Sequence, residues 1–191
     1  MTSIEPARSL APEEIAWKLA QRVAATEFVP KDLRGRPDAV LACILTGREL
    51  GVGGMTALQH IAIIDGKPTL SATLMRSLVA RRGHTIRPEE MTDERCVIMY
   101  GRRADDGGEL RVTWTTEDAR RAKIGGKNNW QTYPRAMLLA RATTELCRAL
   151  FADVLGPVAY EPEEIGGPVA AADLDLPPCD DDTEVPVDRD E

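Results

Sequence analysis

Hydrophobic residues recur at helical spacing near the start of the chain. Residues 12–26 place Ile15, Leu19 and Val23 on one helical face, and residues 37–51 carry a similar pattern between a proline and a glycine. Proline is favoured at the first position of a helix and glycine just beyond its end. We therefore predict two helices here, each burying its apolar face in the core.

A hairpin is predicted next. Residues 60–70 form two strand-like runs separated by Asp65-Gly66, a pair that supplies the positive φ needed by a tight turn. Residues 71–82 return to helical spacing, and Gly83 is placed to end that helix.

The second half of the chain repeats this alternation of strands and helices. Strands are predicted at 95–102 and 109–114, joined by the polar turn 105–108. Residues 115–118 resemble a capping box that opens a short helix, and Pro134 suits the first position of a long final helix. The order α-α-β-β-α-β-β-α-α predicts the α+β class, with N-terminal helices and further helices packed on a small, largely antiparallel sheet.

Charge divides the chain into a basic body and an acidic tail. The formal net charge is −7, but residues 161–191 hold twelve acids and one cation, a net −11. The first 160 residues hold 23 basic and 19 acidic residues, a net +4. The tail is also rich in proline and glycine and has no aromatic residue, so we expect residues 166–191 to be disordered.

The strongest basic segment spans residues 120–148. It contains seven cations and a single anion, Glu145, a local charge of +6, together with Trp130 and Tyr133. Cations interleaved with aromatic residues are typical of a polyanion-binding surface. The alternative is a solvated helix face with Trp130 or Tyr133 in the core, and the sequence leaves it open.

The sequence also indicates a compartment. The cysteines Cys43, Cys96, Cys147 and Cys179 have no paired C-x-x-C spacing, so neither a zinc site nor a disulfide framework is indicated. There is no charged-then-apolar leader, and no apolar run approaches the ~18 residues of a membrane span. We expect a cytoplasmic protein without a cofactor and without membrane contact.

Enzymatic function is not predicted. The glycine-rich residues 47–54 precede a strand and lack a Lys-Ser/Thr ending, so they do not match a nucleotide-binding loop. One alternative is a Mg²⁺-dependent nuclease that uses Glu49 and Asp65 with Lys67. Another is an adaptor that binds a basic protein partner through the acidic tail.

Two motifs are similar to a known family. They are I-D-G-K-P-T-L-S at 64–71 and W-x-x-Y-P-R-A-M-L at 130–138, within a likeness that spans roughly residues 34–165. With their flanking segments 47–84 and 130–164 they resemble the RecT-like phage single-strand annealing proteins, relatives of the lambda beta recombinase. The resemblance divides the chain into an N-terminal helical segment (1–33), an annealing core (34–165) and the acidic tail.

The resemblance implies a phage or prophage protein of homologous recombination, acting in a bacterial host. Such a protein binds single-stranded DNA by its phosphate backbone in a basic groove and anneals complementary strands to duplex without ATP. It also forms rings or helical filaments of identical subunits. A phage exonuclease or a host single-strand-binding protein is the class of partner that the family suggests.

Candidate DNA contacts follow from the charges and from this resemblance. Annealing leaves the bases free to pair, so the contacts should join Lys or Arg to phosphates. Gly125 and Gly126 would let the backbone approach the strand closely. Trp130 is a candidate for base stacking, with a core role as the alternative. The candidate cations are Arg120, Arg121, Lys123, Lys127, Arg135 and Arg141, followed by Lys67, Arg102 and Arg103.

Overall fold

A computed structural model of the chain describes residues 12–64, 66–92 and 97–156. The helices in these ranges are α1 (Pro12–Ala24), α2 (Pro37–Glu49), α3 (Gly54–His60), α4 (Ala72–Arg81), α5 (Thr116–Arg121), α6 (Asn128–Thr132), α7 (Pro134–Leu150) and α8 (Ala152–Leu155), with a 3₁₀ turn at Lys31–Leu33. The strands are β1 (Ile61–Ile64), β2 (Lys67–Leu70), β3 (Thr85–Met91), β4 (Val97–Arg102) and β5 (Glu109–Trp114). The predicted α+β class is confirmed. The acidic tail predicted at 166–191 lies outside the described residues.

The strands form two antiparallel sheets. Strands β1 and β2 pair as the predicted hairpin, and Gly66 has the expected positive φ of 76°, whereas Asp65 lies outside the described residues. Strands β3, β4 and β5 form the second sheet, in chain order. Strand β3 was not predicted, because its sequence has no regular alternation and contains Pro88. It is an edge strand with a register shift between Pro88 and Glu90, a position where proline is tolerated.

Prolines and capping hydrogen bonds explain where helices α2, α4, α5 and α7 begin. Proline occupies the first turn of both α2 and α7. Ser71 caps α4 by accepting a hydrogen bond from the backbone of Leu74. The predicted capping box of α5 is present, with Thr115 and Asp118 each accepting from the other's backbone amide. Helices α3, α6 and α8 were not predicted, because four to seven residues are too few to show a helical period.

The predicted core face of α1 is wrong at Ile15 and Leu19, whereas Val23 packs against the core. Ile15 and Leu19 are 54% and 48% exposed. The buried positions are Ala16, Ala20 and Ala24, on the side of α1 that packs against α2. Small side chains on the contacting face permit helices to pack closely.

The hydrophobic core has two parts, and α7 belongs to both. The first part, which we name the helical cluster, contains residues of helices α1, α2, α3 and α4 and of the hairpin. Cys147 and Phe151, at the end of α7, also belong to it. The second, the sheet cluster, joins the inner face of the β3–β5 sheet to α5, α6 and the rest of α7. Ala20 and Ala24 pack in the helical cluster, so α1 shares a core with the segment that follows residue 34.

No helix in the described ranges combines the length and apolar character that crossing a membrane requires.

The contact between β4 and α7 depends on a glycine. A methyl group at Gly101 would lie 3.0 Å from side-chain carbons of Leu150 and Phe151 and 3.1 Å from Leu146. These neighbours are packed in the core, so they have little room to move.

We predict that Gly101→Ala lowers the free energy of unfolding by about 1–3 kcal/mol, because the added methyl group overpacks this contact. Gly126→Ala is the matched control, since a methyl group there would meet no atom within 4 Å. Urea denaturation of both variants measures the effect. Equal stability of the two variants would contradict the close approach of β4 and α7.

Candidate nucleic-acid interface

The basic segment is organised by the end of helix α5. Lys123 has a left-handed φ of 57°, and its backbone N–H donates to the Arg120 carbonyl at 2.9 Å. The N–H of Ile124 reaches back to the Ala119 carbonyl at 3.1 Å. This pair of bonds is a Schellman motif, the commonest way in which a helix ends with its last carbonyls satisfied.

Apolar contacts hold the same turn on the core. Ala119 is buried in the sheet cluster, and Ile124 packs against that cluster. The turn then closes with a hydrogen bond from the Lys127 N–H to the Ile124 carbonyl at 3.0 Å, and α6 begins at the next residue. We name residues 120–127 the cationic turn. Its backbone is fixed by hydrogen bonds and burial, while the side chains of Lys123 and Lys127 are exposed.

Lysine is an unusual residue at the left-handed position. A side chain there clashes with its own backbone, which costs roughly 1–2 kcal/mol, and glycine normally occupies the site for that reason. The neighbouring Gly125 and Gly126 do not have positive φ, so the left-handed position falls on Lys123 and not on a glycine. Strained backbone that persists in a fold is concentrated at functional sites.

Two substitutions of Lys123 separate strain from charge. We predict that Lys123→Gly raises the free energy of unfolding by about 1 kcal/mol, because glycine adopts positive φ without a clash. Lys123→Ala removes the same charge but retains the clash, so it should change stability by less than about 0.5 kcal/mol. Chemical denaturation of both variants tests this. A glycine variant no more stable than the alanine variant would show that position 123 is unstrained.

The two arginines of the cationic turn are highly exposed, and each has a carboxylate nearby. Arg120 forms an ion pair with Glu117, and Arg121 lies 3.7 Å from Asp118. The hydrogen bond from Thr115, and to a smaller extent the charge of Arg121, lower the pKa of Asp118. Exposed pairs of this kind are worth about 0–1 kcal/mol, so a phosphate can compete for either arginine. Lys123 and Lys127 form no ion pair with any described residue.

Trp130 and Tyr133 occupy opposite environments. Trp130 is 5% exposed and packs in the sheet cluster, so the core role is the one the structure supports. Tyr133 is 46% exposed at the junction of α6 and α7. Of these two aromatic residues of the basic segment, Tyr133 is therefore the exposed one, whereas the sequence had left the environment of both open.

The remaining basic residues of the segment lie on α7. Arg135 is half-buried in its first turn. Arg141 is 7% exposed, and its guanidinium lies 5.7 Å from the centre of the Trp114 ring. The Trp114 Nε1–H donates to Glu145 at 2.6 Å. A guanidinium enclosed in this way is unable to reach a phosphate unless the packing rearranges, which removes Arg141 from the exposed surface.

The side chain of Arg103 is held by carboxylates and a backbone carbonyl of the fold. It donates to Asp105 at 2.6 and 2.9 Å, to Asp153 at 2.6 and 3.0 Å, and to the Leu150 carbonyl at 3.0 Å. Hydrogen bonds to Asp153 and then to Asp105 raise the pKa of Arg103 above its ordinary value. Arg103 thus fastens the end of β4 to α7 and α8, and its charge is already balanced by two carboxylates.

Lys67 and Arg102 are exposed but lie on different sheets. Lys67 begins β2 in the hairpin, and Arg102 ends β4 with Glu109 at 3.5 Å. Among the candidates in the described ranges, those at residues 120–127 are the ones that share a single hydrogen-bonded turn.

The outer face of the β3–β5 sheet carries arginines and glutamates packed over the buried Tyr100, an arrangement that the sequence did not indicate. Arg87 and Arg111 lie over the Tyr100 ring at 5.4 and 4.7 Å, on the two neighbouring strands. Glu89 accepts two hydrogen bonds from Arg111, at 2.8 and 3.2 Å. These side chains come together only through the register of β3 and β5 against β4. The sequence could not indicate this, because β3 was not predicted. Glu89 and Glu109 form ion pairs with the arginines of this face, which offsets much of their positive charge.

Catalytic and metal-binding alternatives gain no support from the described residues. No group of three or more His, Cys, Asp or Glu side chains there is placed to hold a metal ion. Of the nuclease candidates, Glu49 is exposed on α2 and Asp65 lies outside the described ranges. His60 hydrogen-bonds to Ser71 at 2.9 Å, and His84 accepts from the Ala104 N–H at 3.1 Å, so both histidines have structural partners.

Comparison with protein-family models finds no model that matches this chain, and comparison with curated proteins finds no similar sequence.

Proposed function

We propose that this protein binds single-stranded DNA through its phosphate backbone and anneals complementary strands without ATP, as the RecT-like resemblance implies. The observation that carries the proposal is the cationic turn. It presents Lys123 and Lys127 to solvent on a backbone fixed by a Schellman motif and anchored in the core. Assembly of identical subunits on the strand, and a role in phage homologous recombination, belong to the same proposal.

The type of contact favours phosphates over base edges. Lysine side chains are flexible point charges, which suit a polyanion of any sequence. Sequence recognition requires planar donors and acceptors held in fixed positions against base edges. Annealing requires the opposite, because both strands must keep their base edges free to pair.

The start of helix α7 carries positive potential of its own. Its first turn contains no acidic residue and carries Arg135, so nothing within that turn offsets the positive end of the helix dipole. The dipole falls off within about one turn, so it would favour a phosphate bound close to Arg135.

An annealing assay tests the function directly. One fluorescent oligonucleotide is incubated with the protein and its quencher-labelled complement is added afterwards, without nucleotide. We expect annealing at a rate well above that of the free strands. Spontaneous rates with a protein shown to be folded would refute the proposal. Gel analysis of the same strands with Mg²⁺ would reveal cleavage if the nuclease alternative were correct.

Salt dependence identifies the contacts. We predict that Lys123→Ala and Lys127→Ala each reduce the slope of log K against log salt by about 0.7, the value for one phosphate contact on a single strand. Because the contacts are to phosphates, the loss of affinity should be similar for strands of different sequence.

Arg48→Ala is the matched control for these variants. Arg48 is an exposed cation on α2, a helix that packs on α1 and α3. Its removal should leave the slope unchanged. A slope unaltered in both lysine variants would place the binding surface elsewhere, even if the protein anneals DNA.

A further inference from the structure

Exposed aromatic rings are rare in the described part of the chain. Apart from Phe28, which lies near the end of α1 and is 77% exposed, Tyr133 is the only aromatic residue among the exposed large hydrophobic side chains. Tyr133 is six residues from Lys127 and two from Arg135. A ring this exposed, within a few residues of cations in the sequence, leaves apolar surface in water that a stacked ligand would cover.

The backbone of Tyr133 is held on both sides. Its N–H donates to the Asn129 carbonyl at 2.8 Å, which closes α6. Its carbonyl accepts from the Met137 N–H at 3.1 Å, which opens α7. Tyr133 is thus the joint between two helices. Trp130 and Met137, on either side of it in the sequence, are buried in the sheet cluster. The backbone that carries the ring is therefore fixed before any ligand arrives.

Resting on the proposed function, we propose that the Tyr133 ring is a stacking platform for a nucleobase of the bound single strand. Stacking tolerates every base, because each has a π-face, so it fits a protein that binds without sequence preference. A rigid ring also loses little conformational entropy on binding. The lysines of the cationic turn hold the phosphates while Tyr133 contacts a base and leaves its pairing edge exposed.

The stacking proposal is tested with two strands of the same length and charge. One is oligothymidine, and the other has the same sugar-phosphate backbone without bases. Tyr133→Ala should weaken binding of oligothymidine by about 5- to 140-fold, the range expected for one lost stack. It should leave binding of the base-free strand unchanged, because the phosphate contacts remain.

Three further variants show which property of the side chain matters. Tyr133→Phe keeps the ring and should bind like the unaltered protein, whereas Tyr133→Leu keeps apolar bulk without a ring and should behave like Tyr133→Ala. Phe28→Ala removes the other exposed aromatic residue and should affect neither strand. A 5-iodouracil strand should also crosslink to Tyr133 on irradiation, located by mass spectrometry of the digested protein.

The outcomes separate this proposal from the proposed function. Equal losses for both strands, or no loss for either strand, would overturn stacking by Tyr133 while single-strand binding stands. Failure of the unaltered, folded protein to bind either strand would overturn the proposed function and the stacking proposal with it.

Discussion

The burial of α7 between two hydrophobic clusters is the constraint on which the rest of the structure depends. Residues near its C-terminal end pack among the N-terminal helices, and the remainder packs on the sheet. Gly101 allows β4 to approach this helix closely, and Arg103 fastens the end of β4 to the Leu150 carbonyl. The cationic turn depends on the same arrangement, because Ala119 and Ile124 anchor it on the cluster that α7 completes.

The candidate site combines a rigid backbone with side chains that water can reach. Lys123 lies at a position that a purely structural turn would give to glycine, and its charge extends from a strained residue. Trp130, the larger aromatic residue of the basic segment, is instead buried and packs α6 on the core. Stability and surface chemistry are therefore divided between neighbouring residues.

Local signals predicted much of the fold. The hairpin, the capping box at Thr115 and the proline at the start of α7 each depend on residues close in sequence, and each is present. The exposure of Ile15 was not predictable, because it depends on how closely α1 approaches α2. The burial of Arg141 likewise depends on the position of Trp114 on another element. Charge counting located the basic segment, but only tertiary packing determines which of its cations reach the surface.

The ion pairs of α5 have a consequence for the kinetics of the DNA binding that we propose. Arg120 with Glu117, and Arg121 with Asp118, act at a distance as small dipoles whose fields decline quickly. Lys123 and Lys127 act as net charges, felt by an approaching strand out to about the 8 Å Debye length of physiological salt. We therefore expect the lysines to govern the association rate. The arginines, once phosphates replace their carboxylates, would instead prolong the lifetime of the complex.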